Sequence, residues 1–243
     1  MADGPYGCLG YHRRRRTPAA GILMEGINHV EPGGPPLVAR LSGSVTMIKV
    51  SVGPVDNNAY ILQSSSGDTL LIDAANDRDR LLKIISDQPL DTIVTTHRHA
   101  DHWQALSSVA AATRARLICG QPDLEAISTG ASVEGMIGVW DGDRVELGAE
   151  RLGVIGLVGH TPGSITLSYE GAGMTHLFTG DSLFPGGPGR TTTPEDFTSL
   201  MNDLESKIFD RFGDDTVVHP GHGDDTTLGT ERPHLGEWRT RGW

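Results

Sequence analysis

Within the stretch TTHRHADHW, His97, His99, Asp101 and His102 place three imidazoles and a carboxylate in six positions. Nitrogen and oxygen donors without thiolate suit zinc or a mixed zinc and iron site, and their clustering on one turn lets them converge without ordering long loops. Three further segments offer the same donor types beside glycines, which let a backbone turn sharply toward a ligand. They are GHTPGS with His160, FTGDSLF with Asp181 and HPGHG with His222. Structural zinc sites are usually four-coordinate and cysteine-rich, so seven oxygen and nitrogen candidates fit poorly with a metal-stabilised binding module of closed coordination. Two cations about 3.5 to 4 Å apart activate water and polarise a carbonyl together, and no nucleophilic side chain is then needed.

Donors of this kind must be delivered by strand ends. From Val45 the chain reads as short β-branched strands, VTMIKVSV, NAYILQ and TLLIDA, separated by Gly and Asn turns. A helix is predicted over about 77–86, and the strand TIVTT ends on His97. Beyond it come a helix near 104–113, the strand RLICG, a short helix near Asp123, and the segments DGDRVELG, RLGVIGLVG and SITLSYE. The strand THLFTGD ends on Asp181, a helix starts at Pro194 and runs to Phe209, and TVVHPGHG closes the pattern. Two groups of strands interleaved with helices predict an α/β protein, a layered αββα sandwich in one domain over residues 45–243. Residues 1–44, rich in Gly, Pro and Arg and without a regular period, are expected to form a flexible extension.

Composition removes several functions. No run of about 18 apolar residues is present, so no transmembrane role is expected. Cys8 and Cys119 form no CxxC pair and cannot staple a chain of 243 residues, which favours a reducing, cytoplasmic setting. Residues 1–44 carry five arginines against three acids, whereas the rest carries 15 basic residues against 28 acidic ones. An acidic body repels a polyanion, so no nucleic-acid partner is expected. Too short an apolar run follows Arg13 to Arg16 for a secretion signal. A serine hydrolase is excluded because neither Ser164 nor Ser182 lies in GxSxG.

In this order, HxHxDH, GHTPGS, TGD and PGHG resemble the metallo-β-lactamase superfamily, and especially its glyoxalase II-like branch, over about residues 45–225. The resemblance implies a four-layer αββα metallo-β-lactamase sandwich. It further implies one metal on His97, His99 and His160, a second on Asp101, His102 and His222, and Asp181 bridging both. Two Zn2+ per chain are expected, with iron or a mixed pair as the variant. Asp101 and Asp181 are the expected catalytic residues, Asp101 orienting a metal-bridging hydroxide and accepting its proton. Asp73, at the end of LLIDA, is similar to the family's acid that holds a ligand histidine's free N–H. Arg190, in FPGGPGRT, could meet a substrate carboxylate, although a structural ion pair is the stronger expectation.

The reaction implied is glyoxalase II-like hydrolysis of a thioester, an S-hydroxyacyl conjugate of a small thiol, by a monomer or homodimer. Only 21 residues follow His222, so the helical domain that shapes a glutathione site is expected to be missing and a different thiol or a broader acyl range is anticipated. THRHADH is also similar to the wording of persulfide dioxygenases, in which His97, His160 and Asp181 would hold a single iron. A broader esterase or lactonase of the same fold is a third reading. Of the other residues, His219 is expected to be a satisfied buried histidine, His176 to be solvated, Cys119 to be an inert buried thiol, and Trp103, Trp140 and Tyr169 to belong to the core.

Overall fold

Alternation of apolar and polar residues, then fully apolar runs, divides the chain into half-buried and doubly covered strands. The computed structural model describes residues 28–86 and 88–242. Sheet one has seven strands in sequential order: β1 (Leu37–Arg40), β2 (Val45–Val52), β3 (Asn57–Ser64), β4 (Thr69–Ile72), β5 (Thr92–Thr95), β6 (Arg116–Gly120) and β7 (Ile137–Val139). The first four form an antiparallel meander, and β4 to β7 run parallel. Parallel neighbours require crossovers, here α1 (Arg78–Ile85), α2 (Leu106–Thr113) and α3 (Leu124–Ala131). Asp77 caps α1 by accepting from the Arg80 N–H.

Sheet two contains β8 (Arg144–Leu147), β9 (Glu150–Leu157), β10 (Ser164–Gly171), β11 (Met174–Gly180), β14 (Val217–Pro220) and β15 (Thr226–Thr227), in the order β15-β14-β11-β10-β9-β8. A two-stranded ribbon, β12 (Leu183–Phe184) and β13 (Gly187–Pro188), follows β11. Helix α4 (Pro194–Asp203) starts at a Thr193 cap with Pro194 in its first turn and continues as a π-helical turn through Leu204–Phe209. Short helices α5 (Leu228–Glu231) and α6 (Leu235–Arg241) end the described chain.

Three apolar clusters make four layers. Met47, Leu62, Leu70 and Val94 of sheet one meet Leu152, Leu167, Tyr169 and Phe178 of sheet two in the central core. Leu81, Ile85, Leu106, Val109 and Ile127 pack α1 to α3 on the outer face of sheet one, and Phe197, Leu200, Leu204, Leu228 and Trp238 pack the remaining helices on sheet two. This is the expected αββα sandwich.

Two expectations are corrected. Strand β1 lies inside the segment expected to be a loose extension, because Leu37 to Arg40 complete the antiparallel edge of β2 and Val30 and Leu41 are buried. The remainder of that expectation, residues 1–27, lies outside the described residues. His176 is buried rather than solvated, since its ring stacks on His219 at 5.3 Å and its Nδ1 lies 3.1 Å from His219 Nε2.

Strand direction decides which ends of the two sheets meet. Antiparallel steps from β9 to β10 to β11, then a parallel step to β14, make β9, β11 and β14 point the same way. In sheet one β4 and β5 are parallel to each other. The sheets meet at their carboxyl ends, where Ile165 N–H donates to Thr96 O at 2.9 Å. Gly120 has no room for a side chain there, because a Cβ would overlap the Gly163 carbonyl. Leu167→Ala, at the centre of the fully buried inter-sheet core, should cost about 2–5 kcal/mol of stability in urea unfolding.

Candidate metal centre

Each donor named from sequence follows a strand. Asp73 follows β4, His97 to His102 follow β5, His160 follows β9, Asp181 follows β11 and His222 follows β14. Open α/β sheets place ligands outside strand carboxyl ends, and the donors of both sheets converge there. His97 Nε2 lies 3.1 Å from His99 Nδ1 and 3.2 Å from His160 Nε2. His102 Nε2 lies 3.2 Å from His222 Nε2, and Asp101 Oδ2 lies 3.7 and 3.4 Å from the same two nitrogens. Asp181 stands between these trios, with Oδ1 3.3 Å from His102 Nε2 and Oδ2 3.7 Å from His160 Nε2 and 3.5 Å from His222 Nε2. Three overlapping sets, His97/His99/His160, His97/His102/Asp181 and Asp101/His102/His222, each hold their donor atoms within 4.8 Å of one another.

The outward nitrogens fix the proton positions. Arg190 O and Val55 O can only accept, so His160 Nδ1 and His222 Nδ1 donate to them, at 2.7 and 2.8 Å. His102 Nδ1 donates to Asp73 Oδ2 at 2.8 Å. Thr96 Oγ1 donates its single proton to Asp73 Oδ2 at 2.8 Å, so at 3.1 Å it accepts from His97 Nδ1. In neutral rings all four Nε2 atoms therefore aim lone pairs inward at one another. Facing lone pairs at 3.2 Å repel unless a cation or a proton lies between them. Asp181 Oδ1 adds a buried oxygen without a hydrogen-bond donor. These residues fit a divalent metal centre, because each inward lone pair and the orphaned oxygen would then have a partner.

In the metal-free protein charge divides the rings into two groups. Burial holds His97, His99 and His160 below the ordinary imidazole pKa, which keeps them neutral. Burial acts the same way on His102, but Asp181 and Asp73 outweigh it and push its pKa well up. His222 is also raised, burial being outweighed by its hydrogen bond to Asp181. Burial would lift Asp181, yet the charge of His102 holds it well below the usual carboxylate range.

Glycine permits the close approach at Gly221, where a Cβ would overlap Asp181 Oδ1 and sit 2.6 Å from His102 Cε1. Asp73 has φ +58° and uses both oxygens, Oδ1 accepting from Thr96 N at 2.8 Å and Oδ2 from Thr96 Oγ1 and His102. It is not a plain turn residue. Arg190 contributes its backbone carbonyl to His160, while its side chain is exposed.

Three residues escape a reading of the sequence. Asn57 Nδ2 donates to Asp101 Oδ2 at 3.0 Å. Thr96 links His97 to Asp73. Asp123, fully buried, accepts from Arg98 N, Thr161 Oγ1 and Gly163 N, which ties the HxHxDH turn to the His160 turn. Asn at the start of a strand and Asp before a helix are ordinary turn and cap residues, so no pattern marks them. His219 is buried and held by Asp225 at 2.9 Å, as expected, and burial lifts the Cys119 thiol to about 12. Tyr169 is core, and Trp103 and Trp140 are partly buried against the core on either side of sheet one.

A family model described as the metallo-β-lactamase superfamily matches residues 52–222, which include all seven donors. The chain is similar to a hydroxyacylglutathione hydrolase of Fuscovulum blasticum, 33% identical over 172 residues, covering 69% of this chain and 62% of that protein. It is also similar to hydroxyacylglutathione hydrolase GloC of Haemophilus influenzae, 27% identical over 202 residues, covering 75% of this chain and 93% of that protein. A solved structure, TTHA1623 in a di-iron-bound form, matches with TM-score 0.63 and 29% identity over 76% of this chain and 96% of its own. The chain thus spans less than two thirds of one such hydrolase and nearly all of another. Among the described residues no helix is long and apolar enough to cross a membrane.

Because the raised pKa values of His102 and His222 keep protons where a metal needs lone pairs, metal loading near neutral pH should release protons. Apparent metal affinity should therefore fall as pH is lowered from about 8 to about 6, a shift readable by calorimetry in buffers of different ionisation enthalpy. Asp73→Asn should weaken metal binding by about 10–100-fold, measured by chelator competition.

Proposed function

The chain belongs to the metallo-β-lactamase superfamily, and from that premise we propose that it is a binuclear metal-dependent hydrolase acting on a thioester, an S-hydroxyacyl conjugate of a small thiol. One observation carries the reading. Two donor trios, His97/His99/His160 and Asp101/His102/His222, flank the single carboxylate of Asp181, and the four Nε2-presenting rings are held by hydrogen bonds on their outer nitrogens. The hydroxyacylglutathione hydrolases similar to this chain support the substrate class.

When bound, two divalent cations would acidify a water and polarise an acyl oxygen, with zinc or a zinc and iron pair suiting these donors. The protein's own groups do the rest. Asp181, half-buried and held ionised, stands between the two trios and within reach of both. Asp101 stands at the more open side, and Asn57 steers one of its oxygens toward His222. From that position its carboxylate can orient the attacking water and take up the proton that water loses. Asp73 and the Arg190 and Val55 carbonyls hold three rings in one tautomer, so no reorganisation is required as charge develops.

Elemental analysis of protein purified without added metal, combined with turnover of a panel of acyl-thiol conjugates, tests the proposal. About two equivalents of zinc, or of zinc plus iron, with hydrolysis not confined to the glutathione conjugate are expected. One equivalent of iron with persulfide-dependent oxygen uptake would overturn it.

A further inference from the structure

The inter-sheet face of β2 carries Val45, Met47 and then Lys49, a charged residue where the alternation calls for an apolar one. Lys49 is fully buried, and a buried ammonium is tolerated only when its donors are satisfied. Its Nζ donates to Asp225 Oδ1 at 2.8 Å, to Gly223 O at 2.7 Å and to Asn28 O at 2.8 Å. Asp225, itself buried, gives its second oxygen to His219 Nδ1 at 2.9 Å. A buried ion pair seldom adds net stability over a well-packed apolar pair, so its presence calls for another reason.

The reason lies in what else the pair grips. Gly223 directly follows His222 and adopts φ +65°, and its carbonyl also accepts from Asn58 Nδ2 at 3.0 Å. Pro220, two residues before His222, has its carbonyl held by Tyr60 Oη at 2.7 Å and Asn58 Nδ2 at 3.0 Å. The His222 turn belongs to sheet two, yet these side chains come from β2 and β3 of sheet one. We propose that Lys49 and Asp225 are positioning residues that lock the His222 turn across the gap between the sheets, and so set the Asp101/His102/His222 half of the metal centre. This rests on the binuclear reading above.

The test uses full-length protein carrying Lys49→Met or Asp225→Asn, the latter keeping the shape of the side chain should the former not fold. Zinc is titrated out with a chelator, and amide hydrogen exchange is followed on metal-free samples. If wild type holds two equivalents, each folded variant should release one of them at a chelator concentration at least about tenfold lower while keeping the other. Retention of both equivalents with wild-type resistance would overturn the inference, as would equal weakening of both. If wild type holds a single equivalent, the binuclear reading fails and exchange decides. Faster exchange at the Gly221 and Gly223 amides, with β9 and β10 unchanged, sustains the positioning role, whereas unchanged exchange at those amides ends it.

Discussion

Four imidazole rings with their protons turned outward and their lone pairs turned inward are the constraint on which this structure depends. Each outward proton goes to a fixed acceptor: Thr96 for His97, Asp73 for His102, Arg190 O for His160 and Val55 O for His222. Without a cation, Asp181 outweighs burial and draws protons to His102 and His222, while the facing lone pairs of the neutral His97 and His160 stay unrelieved. The same arrangement that makes the metal-free centre electrostatically awkward makes it receptive to divalent metal, because the lone pairs are already aimed.

Strand direction makes the convergence possible. In sheet one the parallel strands β4 and β5 deliver Asp73 and the HxHxDH turn, and in sheet two β9, β11 and β14 deliver His160, Asp181 and His222. Backbone hydrogen bonds join the two sheets at these ends, Ile165 N–H donating to Thr96 O at 2.9 Å and Asn58 N–H to Gly221 O at 2.7 Å. Their meeting is enforced by the central core of Met47, Leu62, Leu167 and Phe178, and by small residues where the backbones touch, notably Gly120 and Gly221. The apolar core therefore acts on the chemistry through distance: a shift of the two sheets would separate Asp181 from one donor trio.

Polar groups bridging the sheets complete the registration. Asp123 joins the turn before His99 to the turn after His160 through three hydrogen bonds. Lys49, Asn58 and Tyr60 reach from β2 and β3 to the carbonyls around His222. Both are buried polar clusters whose paired donors and acceptors specify one arrangement where apolar packing alone would tolerate several.

The donor set was legible in the sequence by itself, because HxHxDH, GHTPGS, TGD and PGHG are short, local and rich in residue types that few other roles require. Periodicity likewise marked β2 to β6, β9 to β11 and helices α1 and α4, since burial on one or two faces imprints itself on neighbouring residues. Contacts between residues far apart in the chain left no such imprint. Asn57 and Asp123 look like ordinary turn and cap residues, His176 looks solvated until β14 lies beside it, and Leu37 to Arg40 look like tail until β2 offers an edge. Only the tertiary structure decided those, because each is set by a partner that folding, and not sequence proximity, brings within reach.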